Sequence, residues 1–186
     1  MSIYSILEQS NKAYTCRNIA AVNEWSNIFY DSADSVMYHP DGRIKIVLDS
    51  NNIKNLNPKS EIGWFESLVL DSGTFDKTEG IEFSRKDIAK YINSFSGQSN
   101  SIHNPLWLAL ARNDASLLEE HMFNVGCRNG NTQFMKVWIS EQIPTYEVEK
   151  PLSISSINSG SNISGVNGYL RVNSGCLVGI KKIENT

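Results

Sequence analysis

The segment 104–126, Asn-Pro-Leu-Trp-Leu-Ala-Leu-Ala-Arg-Asn-Asp-Ala-Ser-Leu-Leu-Glu-Glu-His-Met-Phe-Asn-Val-Gly, constrains the fold more than any other. It is the densest apolar stretch and carries the clearest helix signals. Asn104 can cap a helix, because its side-chain oxygen accepts from a backbone N–H that would otherwise lack a partner. Pro105 follows at the first helical position, where a missing N–H costs nothing. Leu106, Trp107, Leu108, Leu110 and Ala111 then cover most of a short helix, and a helix apolar nearly all round is a buried one. Asn113 and Asp114 break the run and can start a second helix. Leu117, Leu118, Met122 and Phe123 share one face of it, with His121 on the polar side. Gly126 is expected at its C-terminal cap. Trp107, Leu108, Leu118 and Met122 are expected to be largely buried.

The pattern 104–114 followed by Leu117-Leu118-Glu119-Glu120 resembles the helix pair of an ankyrin repeat, over about one repeat. No second copy stands at the expected period on either side, so the expectation is a helical hairpin in the core of an α+β domain.

Length and composition set the remaining bounds. A chain of 186 residues, 40% apolar and 20% charged, is an ordinary globular composition for one domain, or one domain with an appendage. Four Trp, seven Tyr and seven Phe provide bulk for a core. Ser and Asn together make roughly a quarter of the residues, which favours turns and caps. Cys16, Cys127 and Cys176 are far apart and match neither a CxxC nor a metal-ligand spacing, so a reduced, cytoplasmic setting is expected. The first residues show neither a basic region nor a long apolar run, as a signal peptide would. No segment is long enough to span a membrane.

In chain order, Ile3, Ile6 and Leu7 form a helical face. Ile19, Val22, Trp25 and Phe29 recur at helical spacing, predicting a second helix that ends near Asp31. Residues 36–48 read as a β-hairpin turning at Pro40-Asp41-Gly42. Residues 49–60 read as a polar loop. Over 61–70, Ile62, Trp64, Leu68 and Leu70 alternate as in a strand while Ile62, Phe65 and Val69 fit a helix, and the abrupt stop at Ser72-Gly73 favours the strand. Residues 84–95 read as a helix, with Ser84 and Asp87 as a capping-box-like pair. After Gly126 the pattern turns to β. Residues 134–140 are a strand, 146–149 a short or edge strand between Pro144 and Pro151, and 169–180 a terminal hairpin. The expected fold is α+β: a helical N-terminal half with an early β-hairpin, a central helix pair and a β-rich C-terminal third. The expected division is a core domain over 1–150 and a β-rich segment or arm over 151–186, packed on the core or on a neighbouring subunit.

No chemical motif stands out. Asp31, Asp34, His39 and Asp41 are the nearest approach to a cation cluster, but their spacing matches no known loop, and the turn accounts for Asp41. His39, His103 and His121 are general-base candidates without a nucleophile motif beside them. Residues 159–165 are rich in Gly and Ser, but lack the Lys and the strand–loop–helix setting of a phosphate loop. Residues 84–92 resemble the first helix of a helix-turn-helix. The helix after it is apolar, and the net charge of −3 offers no basic stripe, so nucleic acid is not an expected partner.

The chain is therefore expected to be a non-enzymatic interaction or assembly component, such as a subunit of a viral or phage particle. No catalytic residue, metal or cofactor is assigned. Ile154, Ile157, Ile163 and Val166, spaced by Ser, Asn and Gly, are the expected partner-binding residues. They would bind by strand addition to a protein partner or a second copy. The competing expectations are a small intracellular enzyme and an inhibitory protein that binds one host partner.

Overall fold

The computed structural model describes residues 1–20, 22, 29–55, 67–87, 104–128, 135–140, 142–155, 161–164 and 175–177. Its helices are α1 (Ile3–Thr15), α2 (Asn51–Lys54), α3 (Thr74–Lys77), α4 (Pro105–Leu110) and α5 (Ala115–Arg128). Its strands are β1 (Phe29–Tyr38), β2 (Ile44–Val47), β3 (Leu68–Val69), β4 (Ile81–Phe83), β5 (Met135–Trp138), β6 (Val148–Ser155), β7 (Ser161–Ser164) and β8 (Gly175–Leu177). The chain is thus mixed α+β.

The eight described strands form one sheet built on the antiparallel pair β1–β6. The outer edge of β1 is shared by β2, antiparallel at Ser35–Tyr38, and β8, parallel at Phe29–Asp31. The outer edge of β6 is shared by β3, at Val148 and Glu149, and β7, at Ser153–Ser155. β4 extends the sheet beyond β2, and β5 runs parallel beyond β7.

Side chains alternate between the two faces of a sheet, and here the faces differ in kind. Val36, Tyr38, Ile44, Ile46, Leu152 and Ile154 point to the first face. There they join Ile3, Ile6 and Leu7 of α1, Leu106, Trp107 and Leu110 of α4, and Leu118 and Met122 of α5 in the main core. Ser35, Met37, Lys45, Val47 and Glu149 point to the second face, where a small cluster of Met37, Val47 and Phe75 sits under α3.

The central helix pair forms as its sequence dictates. Asn104 Oδ1 accepts from Leu106 N at 2.9 Å and Trp107 N at 3.4 Å. Asp114 Oδ1 accepts from Leu117 N at 3.0 Å to open α5. Trp107, Leu118 and Met122 are buried, whereas Leu108 is only partly buried, at the margin of the core. Two details differ from expectation. Gly126 lies inside α5, which continues to Arg128. His121 is buried rather than on a polar face, because α5 packs against α1 on that side as well: Asn11 donates to the Leu117 carbonyl and Asn124 donates to Asn11.

The early hairpin is present, with Tyr38 opposite Ile44 and Gly42 at φ 95° in its turn. The expected second helix does not reach Asp31: a helical turn joins Val22 N to Asn18 O, and Phe29–Asp31 belong to β1. Pairing with β6 and β8 overrides the helical spacing there. Residues 146–149 are not an edge strand. Val148 and Glu149 lie between β1 and β3 in a strand that continues through Pro151 to Ser155. Pro151 is tolerated because it faces Ser35 where the register shifts between Asp31 and Ser35, and a bulge does not require its missing N–H.

The polar stretch from 49 contains α2, capped by the Ser50 side chain on Ile53 N. Of the expected strand 61–70, Leu68–Val69 is a strand, and 61–66 lie outside the described residues. Ser84 caps a helical turn through Asp87 N at 3.1 Å, and 88–95 lie outside. Of the expected terminal hairpin, Gly175–Leu177 pairs in parallel with β1, and the other residues lie outside. The expected boundary at 150/151 falls within β6.

Candidate functional site

Polar chemistry concentrates on the second face, at Glu147 just before β6, Glu149 within it, and the two short helices above them. Glu149 is fully buried. Its carboxylate accepts from the Ser35 hydroxyl, from the Ser50 hydroxyl at 2.5 Å and from the Asn52 amide at 2.7 Å. These donors come from β1, the cap of α2 and α2 itself, so one buried acid fixes the 50–52 turn to the sheet. A buried carboxylate is tolerated only when its oxygens are satisfied in this way.

Asp34 acts similarly at the bulge of β1. It accepts from Ile3 N at 2.6 Å and Asp49 N at 2.8 Å, tying the start of α1 and the end of the hairpin to one strand. Desolvation raises its pKa, against the lowering effect of the two backbone donors.

Glu147 holds the third loop. It accepts from Gly73 N and Phe75 N, both at 2.7 Å, and so caps α3. Burial opposes its ionisation, but these N–H groups prevail and hold its carboxyl below the usual range. Phe75 is fully buried, with Lys45 Nζ 4.3 Å and the Arg43 guanidinium 4.9 Å from its ring centroid and the His39 ring 5.1 Å away. Lys45 also donates to the carbonyls of Phe75, at 2.5 Å, and Thr78, at 3.0 Å. Arg43 bridges Asp41 and Asp76, each at 2.8 Å. The Arg43 backbone N–H and then its side chain hold the Asp41 carboxyl down at about 2. Strap 73–78 is therefore clasped by Glu147 at one end and by cations along its length.

His39 stands between two of these acids. Its Nδ1 is 2.7 Å from Asp41 Oδ1 and 3.2 Å from Asp41 N. The Asp41 N–H donates to Nδ1, so that nitrogen faces both a backbone donor and the Asp41 carboxylate. Nε2 is 3.6 Å from Glu147 Oε1, beyond hydrogen-bond length.

Between the 50–52 turn and the end of the strap lies a cleft of about 300 Å³, lined by Val47, Leu48, Asp49, Ser50, Asn51, Asn52, Thr78 and Glu79. Gly80, next to the lining residue Glu79, packs against the backbone of β2: a Cβ there would lie 2.6 Å from the Ile46 carbonyl oxygen. Lys54 Nζ is 3.1 Å from Asp49 Oδ2 beside the cleft.

The residues singled out from sequence are scattered. Ile154 is buried in the main core and pairs with Ile163 across β6–β7. Ile157, Val166 and His103 lie outside the described residues. His121 sits on the first face, and burial pushes its pKa down to about 4. Of the four cation candidates, Asp34 serves backbone amides while His39 and Asp41 pair with each other. Among the described residues, no group of three or more His, Cys, Asp or Glu could hold a metal ion. No described helix is long and apolar enough to cross a membrane. Glu147, Glu149, Lys45, Phe75 and Ser50 were missed. Their partners lie far off in sequence, and the only local hint was the Glu-x-Glu alternation at 147–149.

No protein-family model and no curated protein matches the chain. It is similar to a solved structure described as "Accommodation of massive sequence variation in Nanoarchaeota by the C-type lectin fold", with 10% identity and a TM-score of 0.56 over 77% of this chain and 72% of that one. At that identity the likeness concerns the fold alone: this α+β chain resembles the C-type lectin fold.

Proposed function

We propose that the chain is a non-enzymatic interaction protein, a rigid scaffold that binds a protein partner or further copies of itself. On this reading it works in the cytoplasm or in a particle assembled there, as a subunit of a viral or phage assembly would. The observation that carries the reading is the use of the buried acids. Asp34, Glu147 and Glu149 all direct their oxygens at backbone amides, hydroxyls or an amide side chain of the helix starts and loops around them. Acids committed to holding loops pre-organise a surface, and pre-organisation lowers the cost of binding. The solved relative in fold is described as accommodating massive sequence variation, and a fold with that capacity suits surface recognition. The segment 151–186 contributes Ile163, Ile157 and Val166 to the contact, with Ile154 as their support from inside the core.

Native mass spectrometry of the full chain, isolated from its own cells, tests this reading. The expected result is a complex heavier than the 20.8 kDa chain. A bare monomer, together with turnover of a small molecule, would overturn it.

One observation favours a second reading, a small intracellular enzyme. His39 lies within reach of Asp41 and near Glu147, as a general base oriented by a carboxylate would. That reading requires a His39→Gln variant to lose turnover while it keeps its fold. An inhibitory protein that binds one host partner is a special case of the first reading.

A further inference from the structure

We propose that His39 is a proton-operated latch, which ties the 40–42 turn of the hairpin to strap 73–78 when its ring is charged and loosens that tie when the ring is neutral. The inference stands apart from the binding reading above. Three observations carry it. First, Nδ1 has a partner for each protonation state. The Asp41 N–H, at 3.2 Å, suits a bare nitrogen. Asp41 Oδ1, at 2.7 Å, suits a protonated one. Two bare acceptors that close repel, so a neutral ring keeps the backbone contact and pushes the carboxylate away. Second, the other nitrogen faces the acid that holds the strap. Nε2 is 3.6 Å from Glu147 Oε1, the oxygen to which Gly73 N donates. In the neutral ring Nε2 carries the hydrogen and only its dipole faces Glu147. A second proton puts a full charge between the two acids and draws Glu147 toward hydrogen-bond length. Third, the ring sits where solvent can reach it and the strap can feel it. Its side chain is 20% exposed, and its centroid is 5.1 Å from that of Phe75, the buried anchor of the strap.

The charges around the ring favour the closed state. Asp41 faces it from the turn, Asp76 from the strap and Glu147 from the residue before β6, and the charge on His39 helps to lower the pKa of all three. Arg43 and Lys45 lie over the Phe75 ring and also meet Glu82 of β4. Arg85 lies against Gly42 of the turn and donates to the Gln142 carbonyl. Among the described residues, four acids here meet three cations, and a proton on His39 brings the two counts level.

Two measurements on the full chain test the latch, both by NMR. The imidazole ¹⁵N signals of His39 should show the proton on Nε2 alone at about pH 8 and on both nitrogens at about pH 5. Amide exchange at Gly73, Phe75 and Thr78, corrected for its intrinsic pH dependence, should be about threefold slower on the acid side, the scale of a partly exposed ion pair. It should change with the same midpoint as the imidazole signals. Exchange in α5 should not slow, because the buried His121 resists charging there. His39→Gln should abolish the response of the strap, and His121→Gln should leave it intact. If His39→Gln fails to fold, the coincidence of midpoints in the unaltered chain decides. A neutral ring with its proton on Nδ1, strap exchange that is level or faster on the acid side, midpoints that differ, or a response that survives His39→Gln would each overturn the proposal.

Discussion

The two faces of the sheet are held by different physics. The first face is an apolar interface in which α1, α4 and α5 cover Val36, Tyr38, Ile44, Leu152 and Ile154. Burial of apolar area holds it, and no single contact there must be made in one way. Among the described residues, the buried apolar cluster of the second face is Met37, Val47 and Phe75. Its short helices are fixed by carboxylates and cations whose partners are specific and directional. The first face supplies stability, and the second supplies shape. Mutations should therefore unfold the molecule from one side and loosen it locally from the other.

The largest effect is expected on the first face. Leu118→Ala leaves a cavity in the main core and should cost about 2–5 kcal/mol in urea unfolding. The same change at the partly buried Leu108 should cost clearly less. Equal losses would mean that the core boundary is misplaced.

The faces should also separate by pH. His121 has its folded pKa pushed down to about 4 from an ordinary 6.5, so the unfolded chain binds a proton that the folded one refuses between those values. Stability should fall by about 3 kcal/mol as pH drops from 6.5 to 4, and His121→Gln should flatten that slope. The strap carboxylates behave differently. Asp41, Asp76 and Glu147 have depressed folded pKa values, so their contribution is complete above their unfolded values and is lost only below about pH 4. A melting profile that is flat from pH 7 to 4 would erase this distinction.

Smaller changes belong to the second face. Glu149→Leu strands the fully buried Ser35 hydroxyl, at about 1–3 kcal/mol. Hydrogen exchange should rise at 50–54 before it rises in α5. Glu147→Gln should have the least global effect. It weakens the acceptors for Gly73 N and Phe75 N and should raise exchange across 73–78, with little change in the unfolding midpoint.

The same division explains what could be read from the sequence. The helix pair from Asn104 to α5 was legible because its caps and apolar spacing are local. The hairpin was legible because Asp41 and Gly42 announce their turn. The start of β1 was not, because the spacing of Ile19, Val22 and Phe29 fits a helix, and only pairing with residues 153–155 decides otherwise. The clasp and cleft were the least legible. Lys45 meets the strap across 30 residues, and Ser35 meets Glu149 across 114. Neither pairing leaves a periodic trace. Burial also changes the meaning of a residue type: the oxygens of Glu147 and Glu149 are satisfied by donors from the short helices and loops, not by solvent.

The central pairing of β1 with β6 has a consequence in time. The Ser32 hydroxyl reaches the Leu152 carbonyl across 120 residues of chain, and every pair of the β1–β6 ladder, from Phe29–Ser155 to Tyr38–Val148, is comparably distant in sequence. A ribosome adding about 5–20 residues per second exposes β1 many seconds before its partner emerges. During that interval β1 has β2 on one edge and nothing native on the other. Folding dominated by such distant pairing is slow, because the loop must close before any contact rewards it. Until β6 arrives, the nascent chain holds open the one strand edge that the finished domain leaves at its centre, and this is the interval in which a chaperone would have a substrate.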